Sequence, residues 1–327
     1  MLARYLRLSA GLLLLAATGA FAQSASQPWP VKPVTVVLGF PAGSGVDVVM
    51  RLFQEPLERE LGATFVFEYR AGAGGNIASE LVAKARPDGY TLLMGTAATH
   101  GINAALYKNL PFDVEADFTP VAPFVDVSNV LAVNPAVIDV RSVGEFIERV
   151  RANPGKFDFA STGNGTGTHL AFAEFNAMAK LDMSHVPYKG GPEALQSVVT
   201  GETCCIFNQV QTVLGQWRAG RVRLLGVSTP QRVAAVPDVP TIDESGLKGF
   251  ESFIWFGLFG PKGMEPAVTE RINAAVRKVM EQPAIRQRLA ELGNTPRPET
   301  TEQFRATVKA NRADWVEVVR QAGAAIE

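Results

Sequence analysis

Ser161, Thr162 and Thr166 alternate with Gly163, Gly165 and Gly167 in FDFASTGNGTGTHLAF at 157–172. Phe157 and Phe159 read as the end of a strand, and a helical pattern starts near Thr168. A strand, a glycine loop and a helix start make an anion site in principle. The loop amides are free, the first helical amides have no intrahelical partner, and the helix dipole favours negative charge. The three hydroxyls add donors, and Asn164 and His169 stand in the same stretch. A tight strand-to-helix turn that binds nothing would use the same glycines for its backbone angles.

Three other loops carry similar chemistry. Phe40, Gly43, Ser44, Gly45 and Asp47 lie in FPAGSGVD at 40–47. The carboxylate can cap a helix or face a ligand. Thr96, Thr99 and His100 follow a strand as a polar helix start or as ligand contacts. Tyr188 ends a strand before Lys189 and two glycines, and Asn208 with Gln209 ends the next.

Other chemistries are weakly supported. Gly43-Ser44-Gly45 lacks the framing of a nucleophile elbow, and no serine, histidine and aspartate stand at a recognisable triad spacing. The glycine run at 163–167 is not the dinucleotide pattern, and no phosphate-loop motif occurs. The three histidines, His100, His169 and His185, lack metal-ligand neighbours at helical spacing. No catalytic residue, metal or cofactor is expected. Cys204 and Cys205, adjacent in an apolar run, read as small buried hydrophobes. Trp255 fits the core or a cleft wall, and reads first as core.

Those loops must be positioned by ordinary elements. VTVVLGF at 34–40 is β-branched and apolar throughout, as in a strand buried on both faces. The order strand, loop, helix repeats through residue 107 and again from 142 to 228. Such alternation marks an open α/β sheet, whose ligands sit beyond the carboxyl ends of the strands. Pro56 falls inside a helical pattern and predicts a kink or two short helices. Residues 266–292 carry one helical period, and 301–323 another. Two long extended stretches, 117–135 and 250–261, read as paired crossings between lobes, with a hinge and a cleft.

Residues 1–22 read as a cleavable secretory signal: Arg4 and Arg7, an apolar run at 12–17, and Ala20-Phe21-Ala22 before Gln23. The remainder of the 327 residues is long for one core and suits two domains. A formal charge of −1 gives no support to nucleic-acid binding.

The chain resembles the periplasmic solute-binding proteins of tripartite tricarboxylate transporters, the TctC or Bug type. The resemblance is carried by WPVKPVTVVLGFPAGSGVD at 29–47, RAGAGGNIASELVAKARPDGYTLLMGT at 70–96, HGINAALYKNLPFD at 100–113 and ANPGKFDFASTGNGTGTHLA at 152–171. HVPYKGGPEAL at 185–195, VPTIDESGLKGFE at 239–251 and WFGLFGPKG at 255–263 continue it. It implies a two-lobed type II periplasmic binding protein that closes like a Venus flytrap. Lobe 1 would be 31–123 with 247–327, and lobe 2 would be 124–246. The implied ligand is a small carboxylate held by amides, hydroxyls and water. Lobe 1 would offer it the loops 40–47 and 95–100; lobe 2 would offer 161–166, the loop after Tyr188, and Asn208.

The implied role is that of a periplasmic, monomeric receptor delivering to integral membrane transporter subunits. A sensory receptor has the same ligand chemistry, and a secreted hydrolase would use Ser44 or Ser161. Some positions depart from the family. Ala42 and Ser44 stand where proline and glycine are usual, Cys204-Cys205 where an acid is common, and Asn208 where aspartate is frequent. A neutral Asn208 favours a non-amino acid ligand over an amino acid.

Overall fold

The computed structural model describes residues 29–322. The expected signal at 1–22 lies outside them. The chain opens with β1 (Val34–Leu38), α1 (Gly45–Leu61), β2 (Phe65–Tyr69), a short 3-10 turn, α2 (Asn76–Ala83) and β3 (Thr91–Thr96). β1 pairs in parallel with both β2 and β3, which is why its side chains are almost all buried. After α3 (Asn103–Leu106), β4 (Phe118–Val133) begins the crossing.

β4 belongs to both halves of the molecule. Its residues 118–128 run antiparallel to β9 (Phe253–Pro261). Its residues 129–133 pair with β7 (Cys205–Gln209), and 130–133 with β8 (Arg223–Val227). Between β4 and β9 lie α4 (Val143–Arg151), β5 (Asp158–Ser161), α5 (Gly167–Met178), β6 (Ser184–Pro187), α6 (Gly191–Thr200), β7, α7 (Val210–Arg218) and β8. α8 (Pro266–Met280), α9 (Pro283–Glu291), β10 (Asn294–Pro296) and α10 (Thr301–Ala322) complete the chain. Eight strands form one path in the order β2-β1-β3-β9-β4-β7-β5-β6, and β8 and β10 each pair with β4 off that path.

Apolar burial follows this division. One cluster joins β1, β3, β9 and the first half of β4 to α1 and α8 through Phe53, Phe124, Phe256 and Ile272. The other lobe packs helices on both faces of its strands. Phe146, Phe172, Phe175 and Phe207 lie on one face, and Val198, Ile206 and Val213 on the other. The crossing is tied by serines. The Ser228 amide donates to Asn129 O at 2.9 Å, the Ser252 amide donates to Ser228 O at 2.8 Å, and the Ser228 hydroxyl donates to Ser252 O.

Three local expectations change. Pro56 neither ends nor splits α1, which runs 17 residues. Val49, Phe53, Leu57 and Leu61 lie four apart on one buried face, and their packing outweighs the hydrogen bond lost at proline. The single period at 266–292 is two helices, because Pro283 opens a new one at its first turn. β10 was not expected. It is three residues long and completes the edge of β4.

Candidate functional site

The carboxyl ends of β1, β3, β5 and β7 face one another across the crossing. Between them is a tight inner chamber of about 20 Å³, walled by both lobes. The starts of four helices reach it: Ser44-Gly45-Val46 of α1, Thr166-Gly167 of α5, Gly191 of α6, and Gln209 just before α7. Their first amides have no carbonyl within the helix, so the wall is rich in fixed donors and positive dipole ends. Among the described residues, no Asp, Glu, Lys, Arg or His lines the chamber.

Each start is held in place by its own chemistry. Asp47 is buried and fully engaged. Its Oδ2 accepts from the Gly43 amide at 2.8 Å, and its Oδ1 from Tyr69 Oη at 2.7 Å and Arg51 Nε at 2.9 Å. Asp47 therefore fixes the 41–45 turn instead of presenting a free carboxylate. Ser44 is the N-cap of α1, yet its hydroxyl makes no cap bond and has no partner at 4 % exposure. A buried hydroxyl without a partner is costly and points to an absent one.

The glycine loop is stitched by three threonines. Thr168 Oγ1 stands 2.9 Å from Thr162 Oγ1 and 3.0 Å from Thr166 Oγ1, and the Thr166 hydroxyl donates to Gly163 O at 2.8 Å. Thr166 also caps α5 by accepting from the His169 amide. Three hydroxyl protons serve three contacts. Only a rearrangement in which Thr168 donates to Thr162 frees the Thr162 proton for the chamber.

Behind the loop, the His169 and His185 rings stack 3.9 Å apart. The Gly165 amide donates to His169 Nδ1 at 3.2 Å, and Ser161 Oγ lies 2.6 Å from His185 Nε2. Burial pushes His169 down to about 4, and burial with its neighbour pushes His185 down to about 3. Both rings are therefore neutral supports of the loop. Ser161 is fully buried and lines neither cavity, so this serine–histidine pair has no access for a substrate.

The sequence-derived residues divide into groups. Phe40, Ser44, Gly45, Thr96, Thr162 and Thr166 line the inner chamber. Asn164 and Tyr188 line a larger outer cavity of about 420 Å³, which shares Phe40 and Thr162 with the inner one. Gly43, Asp47, Ser161, Gly165 and His169 brace the loops. Thr99 is bonded to Thr96 and His100. His100 stacks on Phe259 at 3.6 Å, away from the chamber, and burial lowers its pKa to about 3. Asn208 donates to Gly191 O at 3.2 Å and accepts from the Gln209 amide at 2.9 Å, so it sets the start of α6.

Ile254 and Phe256 were not anticipated as lining residues. They alternate with Trp255, which is buried on the other face of β9 and donates to Asn311 Oδ1 at 2.8 Å. The period of two in FIWF carried that signal. Gln209 ends its strand as read, and its side chain also lines the chamber.

The comparisons with known proteins agree with this architecture. The model of the tripartite tricarboxylate transporter family receptor matches residues 49–324. BugT of Bordetella pertussis (strain Tohama I) is 30% identical over 316 residues, covering 96% of this chain and 97% of its own. The Rhodopseudomonas palustris protein Rpa4515, solved with adipate, is 31% identical with a TM-score of 0.88, covering 90% of this chain and 98% of its own. MatC from the same organism, solved with bound malate, is 34% identical with a TM-score of 0.83, covering 89% of this chain and 100% of its own. The fold is thus the two-lobed α/β fold of the periplasmic binding proteins, and the chain belongs to the receptor family of the tripartite tricarboxylate transporters.

Proposed function

We propose that the protein is an exported receptor that captures a small carboxylate between its lobes and delivers it to integral membrane subunits of a tripartite transporter. The observation that carries this reading is the convergence of four helix starts, with the unpartnered Ser44 hydroxyl, on a chamber free of ionisable groups. Neutral donors and dipole ends suffice to hold a carboxylate. The adipate and malate bound in the two solved relatives support the ligand class.

The ligand contacts would come from Phe40, Ser44, Gly45, Thr96, Thr162 and Thr166, with Asn164 and Tyr188 at the outer cavity. Gly43, Asp47, Thr99, His100, Ser161, Gly165, His169 and Asn208 would hold those groups in place. The lobes would divide as 31–123 with 247–327 and 124–246. The change of β4's partners after Ser128 supports a crossing near those bounds. The receptor would act in the periplasm as a monomer, without turnover.

A thermal-shift panel tests the reading. A carboxylate ligand raises Tm by mass action, about 2.7 kcal/mol at a hundredfold excess over Kd. No shift with any mono-, di- or tricarboxylate or amino acid would remove the proposal.

A further inference from the structure

We infer that the chain carries a second ligand site, for a small organic oxyanion with an apolar body, in the cavity between α10 and the segment leading into β4. The site stands apart from the cleft and does not depend on what the cleft binds.

That cavity has a volume of about 420 Å³, within the roughly 300–1,000 Å³ seen for small-molecule sites. Its wall divides by chemistry. Val114, Phe118, Pro120 and Val308 give it apolar surface, and Lys262, Arg305, Lys309 and Arg312 bring four cations. Among the described residues, Glu115 is the one acid in the wall, and it pairs with Arg312 at 2.8 Å. Among the described residues, no carboxylate pairs with Lys262, Arg305 or Lys309. Asp113 and Asp117 spend their carboxylates on backbone amides. Asp113 Oδ1 accepts from the Glu115 and Ala116 amides at 2.8 Å, and Asp117 Oδ2 accepts from the Asp113 amide. Those amides first, then the charges of Arg312 and Lys262, hold the Asp113 carboxyl below its ordinary value.

The cations are placed by a helix. Arg305, Lys309 and Arg312 stand at i, i+4 and i+7 on one face of α10. Phe304 and Trp315, both buried, anchor that helix on its adjoining face. Like charges four apart destabilise a helix, and an anion bound between them relieves the repulsion.

His100 supplies an independent observation. Its ring is fully buried, lines this cavity and stacks on Phe259 at 3.6 Å. Nδ1 lies 2.9 Å from Thr99 Oγ1, whereas Nε2 has no partner. With the Thr99 hydroxyl donating to Nδ1, the neutral ring carries its proton on Nε2. A buried donor without an acceptor is costly, and an oxygen of a ligand in the cavity supplies that acceptor. The cations then take the anionic head and the apolar surface takes the body. Carboxylate, sulfonate and phosphate heads share this chemistry. Lys262, Arg305 and Lys309 are exposed, and exposed charges each contribute little, so the affinity is modest, with Kd on the order of 0.1 mM.

Titration of the mature protein with naphthalene-2-sulfonate and phenyl phosphate tests the site. Naphthalene-2-sulfonamide removes the charge, and inorganic phosphate removes the apolar body. At least one of the two organic anions should bind ten-fold or more tighter than either control. Arg305→Glu with Lys309→Glu should weaken it ten-fold or more, as should Lys262→Glu, which leaves α10 intact. Ser44→Ala, in the cleft, should not change it. Ring-nitrogen NMR should show His100 Nε2 shifting with bound probe while His169 and His185 stay put. No binding of either organic anion would overturn the inference. So would a control binding as tightly, affinity unaltered by both sets of charge reversals, loss on Ser44→Ala, or an unmoved His100 resonance. Each of these outcomes leaves carboxylate capture in the cleft untouched.

Discussion

Gly165 of one lobe lies so close to Leu106 of the other that a Cβ on it would overlap Leu106 Cδ2. The same glycine has φ +72°, and its amide donates to His169 Nδ1. The glycine loop therefore lines the inner chamber and is also part of the surface on which the lobes meet. Gly165→Ala should hold the lobes apart and weaken ligand binding ten-fold or more. It should also cost roughly 1 kcal/mol of apo stability through the left-handed backbone. Small-angle scattering with and without ligand, together with calorimetry, checks it. Unchanged affinity and compaction would show that the lobes close without this contact.

Thr166→Val removes a hydroxyl that caps α5 and donates to Gly163 O. Its sequence position alone suggests a pure ligand contact, whose loss would leave the apo protein unaltered. The hydrogen bonds predict otherwise. Apo stability should fall by about 1 kcal/mol, the usual cost of a lost cap, together with affinity. Denaturant unfolding of the ligand-free variant decides between the two.

Ser44→Ala is the contrasting case. The Ser44 hydroxyl makes no cap bond and has no partner. Its removal should leave apo Tm unchanged or slightly raised, since an unsatisfied buried group is lost. Affinity should drop about ten-fold, near 1.4 kcal/mol for one hydrogen bond to a charged group. A lowered apo Tm with unaltered affinity would assign the serine a structural role.

The histidines set a pH dependence of stability. His169 is held near 4, and His185 and His100 near 3, chiefly by burial. The ordinary histidine value is about 6.5, so the unfolded chain takes up protons that the folded chain refuses. Stability should be full above about pH 6.5 and fall as the pH drops from there toward 4. His169→Asn should make that fall shallower in Tm measurements at low salt. A slope identical to wild type would deny the ring its buried, neutral state.

Glu174 acts in the opposite sense. Burial, with Glu251 nearby, raises its carboxyl to about 7. The folded state then holds a proton that the unfolded state has released between about 4.5 and 7. That contribution is present at low pH and is lost as the pH rises through 7. Glu174→Gln should raise Tm at pH 8 and leave it nearly unchanged at pH 4. Equal effects at both pH values would contradict the assignment.

Much of this was legible in the residues. The apolar run at 34–38 and the glycine loop at 161–167 are local signals, and both stand where the pattern puts them. The paired crossing was legible because 117–135 and 250–261 have no helical period. What escaped depends on partners distant in sequence. The Asp47–Arg51 pair is a local i,i+4 spacing, but nothing local at Asp47 tells that Tyr69 also donates to its carboxylate. Nothing local at His100 tells that Phe259 covers its ring. The lining role of Ile254 and Phe256 follows from which face of β9 meets the other lobe, and that is set by the crossing at Ser128 and Ser228.

The central claim is reversible capture of a carboxylate without turnover. Titration calorimetry of the mature protein against carboxylates, with the recovered ligand analysed by mass spectrometry, addresses it most directly. The account predicts one site per chain, a Kd on the order of micromolar, near −8 kcal/mol, and a ligand recovered unchanged. A converted ligand, or no heat with any carboxylate, would contradict it.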